Sequence, residues 1–507
     1  MRLPIGIQDF TNLREEGYLY VDKTMYMMPL LEGGRFFFAR PRRFGKSLLM
    51  STLKAAFMGR KDLFSGLWLE NNFDFTSRPM IRLDFSNINF TSKPLDQGIV
   101  DWLRIQATEY NYDLKSTNAR DAFRELILEL SKTAKVAVLI DEYDKPITDY
   151  LLEPSKRAEH QAVLKSVYGV LKPMDSYLHT VFLTGVSKIG KLSLFSDLNN
   201  LSDISLNADY ALICGYTKQE INATFPTHLE AVAKNLSLEM PVLMQQITHW
   251  YNGYSWDAIN RVYCPFSFLI FLSQKEFKSF WFETGTPTFL VELIRAAQIS
   301  PLEFNGSQLD AYTISTTNVE HLDPIGLMFQ TGYLTIDSIQ KSVLGTTYTL
   351  SYPNQEVRQA FSSSLLLEYS QMFPSRIGQM GIRLAQALGA LDWQGLFSEV
   401  NHIFAGVPYE IFPKHESYVH SLLHLMLTST GYKTQSQIQT SLGRMDILLE
   451  TFTHFMVFEI KIGGTAKAAL KQAKTTQYAA GLTGKPVVLI GVVFDLEKKQ
   501  ISGWAIG

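Results

Sequence analysis

A candidate phosphate-binding turn lies in FFFARPRRFGKSLLM, residues 36–50, where an apolar strand runs into a basic turn and then a helix. In such a turn, backbone N–H groups and the helix N-terminus face the anion, a lysine reaches the terminal phosphates and a hydroxyl ligates magnesium. Arg40 replaces the usual first glycine of the motif. We expect ATP or GTP with Mg²⁺ to bind here. The predicted cofactor-binding residues are Arg42, Arg43, Phe44, Gly45, Lys46 and Ser47, with Ser47 on the metal.

Two carboxylates follow a second apolar run. Val136–Ile140 predicts a buried parallel strand, and Asp141 and Glu142 stand at its carboxyl end. We expect Asp141 to hold magnesium and bind the cofactor, and Glu142 to orient and deprotonate the attacking water as a catalytic residue. A solvated pair of acids at a strand end is the alternative. Thr184 or Ser187, after another predicted strand, could place a hydroxyl near the terminal phosphate, or form a simple turn.

A second group of charged residues lies near the C-terminus. Residues 443–450 and 454–462 predict a β-hairpin, in which Glu459 and Lys461 share one face of the second strand. Asp446 comes from the partner strand. Two carboxylates and a lysine can then converge, which is the minimum for holding Mg²⁺ and positioning a water beside a phosphodiester.

The surroundings of Glu459 favour a site over its alternative, an exposed ion pair on an edge strand. Long apolar runs on both sides predict a central strand, where charges are costly unless they are paired or ligate a metal. Glu416, on a predicted helix, could add a third carboxylate to the metal, or be an acid favoured by the helix dipole. Gln472 and Tyr478 are weaker candidates for contacts with a phosphate backbone.

A parallel sheet is needed to position the phosphate-binding turn. Besides the two strands above, we predict strands at Met80–Phe85, Thr180–Leu183, Ile204–Asn207 and Tyr210–Cys214, with helices between most of them. Alternation of strand and helix indicates an α/β fold with helices on both faces of the sheet. The ligand is then expected at the carboxyl ends of the strands.

The chain divides into four predicted parts. Residues 1–215 form a P-loop ATPase-like domain. Residues 216–290 form a helical lid or adaptor, which begins with the capping-box pattern at Thr217. Residues 291–380 form a winged-helix-like coupling region, and residues 381–507 form a compact α/β domain that contains the hairpin.

The third part is predicted from a helix, strands at Tyr333–Ile336 and Thr346–Ser351, and a second helix after Asn354. Winged helices often bind DNA, but equally often they couple or pack other domains. Only Lys341 and Arg358 are basic near this unit, so coupling is favoured.

Charge and composition restrict the partners. The chain has 507 residues, of which 46% are hydrophobic and 19% charged, and a formal net charge of −2. Whole-surface binding to nucleic acid is therefore disfavoured, and DNA would have to meet a local basic patch. Phosphate binding is a simpler role for the first of two such patches. The two patches are Arg35, Arg40, Arg42, Arg43 and Lys46, and Lys461, Lys467, Lys471 and Lys474.

The cysteine content indicates a reducing compartment. Cys214 and Cys264 are too few for a disulfide framework and wrongly spaced for zinc. No N-terminal basic-then-apolar signal is present, and apolar runs such as Val487–Phe494 are too short to cross a bilayer as a helix. We expect a cytoplasmic protein with no membrane partner.

Short motifs along almost the whole chain resemble a bacterial family that joins an AAA-type ATPase-like domain to a C-terminal PD-(D/E)XK nuclease-like domain. The resemblance implies a restriction-endonuclease-like fold at the C-terminus, and a phosphate-binding turn in which Arg40 is normal. It places Asp446, Glu459 and Lys461 on the nuclease motif and Glu416 on its first helix, although the leading proline is absent. The motifs are Leu3–Gly6, Tyr20–Thr24, Arg40–Ser47, Asp141–Asp144, Tyr251–Tyr254, Tyr263–Phe266, Gly443–Asp446 and Phe458–Lys461.

Two main functional hypotheses follow, and a third interpretation is an NTPase with no nucleic-acid partner. The first is an ATP-regulated, Mg²⁺-dependent nuclease acting on DNA, in defence or in handling mobile elements, with Asp446, Glu459 and Lys461 as catalytic residues and Glu416, Asp446 and Glu459 on the metal. The second is a nucleotide-switched module that binds nucleic acid or a protein without cutting, which the weak basic surface favours. Assembly into a homo-oligomer is left open by the sequence.

Overall fold

The computed structural model describes residues 2–195, 198–281, 288–297, 299–317, 321–343, 345–370, 372–407, 415–440, 443–476 and 481–507. Contacts group the chain into two units. The first contains Met1–Trp281 and Gln308–Asn354, and the second contains Phe282–Ser307 and Gln355–Gly507. The first unit draws on three of the four predicted parts, whose boundaries stay a prediction.

The apolar runs of the first unit form a five-stranded parallel sheet in the order β2-β3-β4-β1-β5. Every residue of β3 is buried, as expected for a strand covered on both faces. A smaller antiparallel sheet has the order β6-β8-β7. The strands are β1 Gly34–Ala39, β2 Met80–Asp84, β3 Val136–Asp141, β4 Leu178–Gly185, β5 Ser202–Asp203, β6 Gln308–Asp310, β7 Thr335–Ser342 and β8 Gly345–Ser351.

Helices cover this sheet and continue into a helical layer with its own core. That core includes Tyr251, Phe268, Phe271 and Phe280, and the predicted capping box at Thr217 is confirmed. The helices of the first unit are α1 Phe10–Glu15, α2 Met28–Glu32, α3 Lys46–Phe57, α4 Leu95–Glu109, α5 Ala119–Leu130, α6 Lys145–Thr148, α7 Pro154–Tyr168, α8 Lys191–Leu194, α9 Lys218–Thr224, α10 Pro226–Leu236, α11 Met240–Tyr251, α12 Pro265–Gln274, α14 Ala311–Ser315 and α15 Pro324–Thr331.

The second unit contains the five-stranded sheet β13-β12-β11-β10-β9, in which β11 and β12 are parallel and the other neighbours antiparallel. Its strands are β9 Lys433–Thr440, β10 Gly443–Glu450, β11 Phe455–Ile462, β12 Val487–Asp495 and β13 Gln500–Ile506. Its helices are α13 Thr288–Ala296, α16 Gln355–Ser370, α17 Pro374–Gly389, α18 Trp393–Gly406, α19 Glu416–Thr428 and α20 Ala466–Thr475.

Two predicted strands of the first sheet are wrong. Ile204–Asn207 is a turn after the two-residue β5. The predicted strand Tyr210–Cys214 starts at the last residue of a 3-10 helix, Ala208–Tyr210, and continues as turns and bends. Hydrogen bonds from side chains take the place of strand pairing in this segment. The Ala39 N–H donates to Oγ of Ser205, and the Asn207 side chain caps the 3-10 helix.

The helix, hairpin and helix predicted for the coupling region are present as α15, β7, β8 and α16, and β6 adds a strand to the hairpin. The predicted unit is divided, because α15 and the hairpin group with the first unit and α16 with the second. The first predicted strand begins later than expected, at Thr335.

Candidate functional site

The phosphate-binding turn is held by a glycine and a lysine. Gly45 precedes α3 with φ of 87°, a left-handed conformation that glycine adopts without strain. Lys46, the first residue of α3, donates from Nζ to the carbonyls of Arg40 and Pro41, both at 2.9 Å. Burial lowers the pKa of Lys46, and the nearby Asp141 carboxylate opposes this shift. Ser47 is half-buried in the first turn of α3.

Asp141 is the last residue of β3, and Glu142 follows it. Strand β3 is separated from β1 by β4 alone. The Asp141 carboxylate is buried and accepts hydrogen bonds from the Thr184 hydroxyl and the Glu142 N–H at Oδ1, at 2.5 and 3.0 Å. Burial, followed by the charge of Asp141, raises the pKa of Glu142, which favours its ability to take up a proton. Asp141 and Glu142 therefore stand at the end of the strand as predicted, with Asp141 buried and hydrogen-bonded to Thr184.

The sequence analysis missed the role of Asp144. This buried carboxylate accepts hydrogen bonds from the N–H and the hydroxyl of Ser187, at 2.9 and 2.8 Å. Burial raises its pKa. Its place in the motif Asp141–Asp144 was the available signal. Ser187 thus fastens the loop after β4 to the loop after β3.

Arg40 is a structural residue, and the first of the two predicted basic patches does not form. Its side chain is only 1% exposed and donates to the carbonyls of Ser205 and Tyr210, at 2.5 and 3.2 Å. Its guanidinium carbon lies 3.9 Å from the ring centre of Trp256, and burial lowers the pKa of Arg40 to about 9. Arg35 lies at the opposite end of β1, paired with Asp175.

The side chains of two residues predicted to bind the cofactor pack against aromatic rings. The guanidinium carbon of Arg43 lies 3.6 Å from the ring centre of Phe266, and Phe44 is buried edge-on against Tyr254. Both residues also have backbone groups in the turn that can face a phosphate. Arg42 remains the exposed basic side chain of the turn.

The C-terminal candidate site is built on β10 and the central strand β11. The pairing of Ile447 with Phe458 places Asp446 beside Glu459 across the two strands. Glu459 is 3% exposed, which excludes the alternative of an exposed ion pair on an edge strand. Asp446 accepts the Ile460 N–H at Oδ2, at 2.8 Å.

Helix α19 brings two more side chains to this place. Glu416 is its first residue, and the buried His420 follows one turn later. The His420 Nε2 atom lies 3.6 Å from Oε1 of Glu416, and its Nδ1 atom lies 4.0 Å from Oδ1 of Asp446. The sequence analysis missed His420, although its four-residue spacing from Glu416 on an apolar helix was a usable signal.

Asp446 and Glu459 offer carboxylate oxygen atoms, which are the ligands that hard cations prefer. As the side chains stand, no three His, Cys, Asp or Glu residues in the described part of the chain are close enough to hold a metal ion. The Glu416 side chain is 62% exposed and turned towards His420. Among the described residues, Lys461 has no hydrogen-bond or ion-pair partner. Its side chain is half-buried and lies on the same face of β11 as that of Glu459.

The second predicted basic patch is present in part. Lys467, Lys471 and Lys474 are exposed on α20, at spacings that place them on one side of the helix. Gln472 is also exposed on α20, and Tyr478 lies outside the described residues. Within the described ranges, no helix is long and apolar enough to cross a membrane.

Comparison with known proteins confirms the resemblance seen in the motifs. The family model described as "Predicted AAA-ATPase" matches residues 4–195, and that of the "PD-(D/E)XK nuclease superfamily" matches residues 414–504. A protein of Azotobacter chroococcum mcd 1, named "Uncharacterized protein in vnfD 5'region", is 35% identical over 520 residues, with 100% of this chain and 98% of the relative covered. No solved structure matches the chain. The chain belongs to the family that joins a predicted AAA-ATPase domain to a C-terminal PD-(D/E)XK nuclease superfamily domain.

Proposed function

We propose that the protein is an ATP-regulated, Mg²⁺-dependent nuclease that hydrolyses DNA phosphodiester bonds. The observation that carries this proposal is the position of Glu459, a buried carboxylate beside Asp446 in the middle of a sheet. Burying a carboxylate is costly, so such a position favours a role in binding a cation. Lys461 follows on the same face of β11, as this chemistry requires.

In this mechanism Asp446 and Glu459 would hold the metal, with Glu416 joining them by a rotation of its exposed side chain. When bound, Mg²⁺ supplies positive charge that stabilises the phosphodiester transition state and lowers the pKa of a water. Lys461 holds and orients the attacking water. His420 lies between Glu416 and Asp446, within 4.0 Å of each, and would hold both carboxylates in place around the metal.

In the first unit, the backbone of the turn and Lys46 would bind the phosphates of ATP, and Ser47 and Asp141 would hold its Mg²⁺. Glu142 then positions the attacking water and takes its proton. A cleft of about 70 Å³ opens beside Gly45, lined by residues that include Tyr20 and Tyr216. Its aromatic and apolar walls suit a nucleobase, for which the cleft must widen.

The proposed regulation by ATP would begin at the α15 segment, Pro324–Gly332, which contacts both loops around the nucleotide site. The Gln330 amide oxygen accepts from the Lys188 N–H at 2.7 Å, one residue after Ser187. A Cβ on Gly332 would come within 2.7 Å of Pro41 in the phosphate-binding turn. If either loop shifts when ATP is hydrolysed, the α15 segment would therefore have to move with it.

The second candidate function is a nucleotide-switched module that binds nucleic acid or a protein without cutting. It is favoured by the geometry of the C-terminal site, where no three metal-binding side chains of the described residues converge. The proposal otherwise includes DNA as partner, a cytoplasmic location in keeping with the two buried thiols, and a role in defence or mobile-element handling. A homo-oligomer is compatible with it.

The test is cleavage of supercoiled, linear duplex and single-stranded DNA in Mg²⁺ or Mn²⁺, with and without ATP. Glu459→Gln should abolish cutting, because the isosteric amide cannot supply the charge. Glu450→Gln is the matched control, since Glu450 lies in the same sheet but pairs with Lys485. Cutting that survives in Glu459→Gln would reject the nuclease. A folded, ATP-binding parent that cuts nothing would favour the binding module.

A further inference from the structure

A cavity of about 440 Å³ lies in the second unit and has no role in the proposed chemistry. Its volume is within the range of small-molecule sites. Helices α13, α16 and α19 and the short turn at Pro301 form its walls. The residues that line it include Arg295, Ser300, Glu368, Tyr369, Ser417 and Tyr418.

The walls of this cavity combine aromatic rings with hydroxyl groups. The rings of Tyr369 and Tyr418 lie 6.1 Å apart, nearly parallel, and the Tyr418 hydroxyl donates to the Tyr369 carbonyl at 2.7 Å. The hydroxyls of Ser300 and Ser421 are 2.8 Å apart and hydrogen-bonded. Flat aromatic surface with hydroxyls at its edge suits a nucleobase and sugar.

A cation stands at the mouth of the cavity. Arg295 donates to Glu368 at 2.7 Å, in an ion pair whose two side chains are 55% and 39% exposed. Exposed pairs of this kind contribute little free energy, so a phosphate can compete for the guanidinium. Together the cation, the rings and the hydroxyls match the three parts of one nucleotide.

The cavity also adjoins the candidate nuclease site. Ser417 and Ser421 line the cavity, and each directly follows a residue of that site, Glu416 or His420. Successive residues of a helix point about 100° apart, so α19 presents one face to the carboxylates and the next to the cavity. A nucleotide in the cavity would therefore lie against the face of α19 next to the one that carries Glu416 and His420.

We propose that this cavity binds one nucleotide of the nucleic-acid strand next to the scissile phosphodiester, with its phosphate on Arg295. This deepens the proposed nuclease function and rests on it. The cavity accepts a nucleotide that is free of base pairing, so the strand must be single-stranded or frayed at this point.

The test measures binding of dTMP and of a labelled single-stranded oligonucleotide to the full-length protein. Ser417→Trp fills the cavity from an exposed position and should weaken both affinities about tenfold or more. Ser398→Trp, at an exposed serine of α18, is the matched control and should bind as the parent. Unchanged affinities in Ser417→Trp, or no saturable dTMP binding to the parent, would overturn the proposal.

A second variant keeps the test decisive if Ser417→Trp does not fold. Arg295→Gln should weaken dTMP but not thymidine, which lacks the phosphate, and equal losses for both would contradict the assignment. Because dTMP binding needs no cutting, failure of the two proposals can be told apart. Cleavage lost only in Glu459→Gln, with dTMP binding unaffected by Ser417→Trp, rejects the cavity alone. Ser417-sensitive binding by a protein that cuts nothing rejects the nuclease and the place beside a scissile bond, and leaves the cavity as a nucleotide-binding site.

Discussion

The Thr184 hydroxyl donates a 2.5 Å hydrogen bond to Oδ1 of Asp141, in a region where both side chains are buried. The two residues end neighbouring strands, β4 and β3, so the bond fixes the carboxylate at the carboxyl edge of the sheet. A carboxylate that is to hold ATP-bound Mg²⁺ needs such a fixed orientation.

Thr184→Val should therefore lower the kcat of ATP hydrolysis roughly tenfold, because a hydrogen bond to a charged group is lost, while ATP still binds. Steady-state hydrolysis and nucleotide-binding titrations would measure the two effects. Thr180→Val is the matched control. Thr180 is buried in the same strand and donates to the Leu30 carbonyl, so its loss should affect stability and leave kcat unchanged.

Arg40 should matter for stability rather than for binding phosphate. Arg40→Lys keeps the charge but loses the planar fork that reaches the carbonyls of Ser205 and Tyr210, and the stacking on Trp256. We expect the free energy of unfolding to fall by about 2–4 kcal/mol in urea titrations. Arg42→Lys, at an exposed position of the same turn, should leave it unchanged. An Arg40→Lys protein of parental stability would show that the buried guanidinium is not structural.

Much of the first unit follows from local pattern. The apolar runs before Lys46 and Asp141 predict β1 and β3 correctly, because β3 is buried along its whole length and β1 over its last three residues. The side-chain alternation along 454–462 likewise places Glu459 and Lys461 on one face. Adjacent strand pairing then explains why Asp446 lies beside Glu459.

Other features depend on residues distant in the sequence and could not be predicted. Arg40 is buried against Trp256, which is more than two hundred positions away in the sequence. His420 can be recognised as part of the candidate site only because α19 packs close to Asp446. Strand β9, with the sequence KTQSQIQT, has a single aliphatic side chain and lies at the sheet edge. Without an apolar pattern, such a strand gives no local signal.

His424 makes the stability of the protein depend on pH. Burial, assisted by Arg358, lowers the pKa of His424 to about 3. In the unfolded chain a histidine titrates near its ordinary value, so below that value the unfolded state binds more protons than the folded state. Stability is therefore full above about pH 6.5 and is lost as the pH falls. Between pH 7 and pH 5 we expect a loss of about 2 kcal/mol.

The loss should be visible in urea titrations at the two pH values. His424→Gln removes the titrating group and should flatten this part of the pH profile, whatever its effect on stability at pH 7. His402→Gln, at an exposed position of α18, should keep the parental slope. A parental slope in His424→Gln as well would mean that other groups cause the pH dependence.

His420 should act through the carboxylates on either side of it. The imidazole lies 3.6 Å from Glu416 and 4.0 Å from Asp446, so in the proposed metal site His420→Ala removes the group that would hold both carboxylates in place. We expect DNA cleavage to fall about 10–100-fold and the Mg²⁺ concentration for half-maximal rate to rise, as for other residues that orient metal ligands. His402→Ala is the control. Because His420 is buried, it should not touch DNA, and the KM for DNA should change little. A variant with normal Mg²⁺ dependence but a raised KM would instead place His420 in contact with DNA.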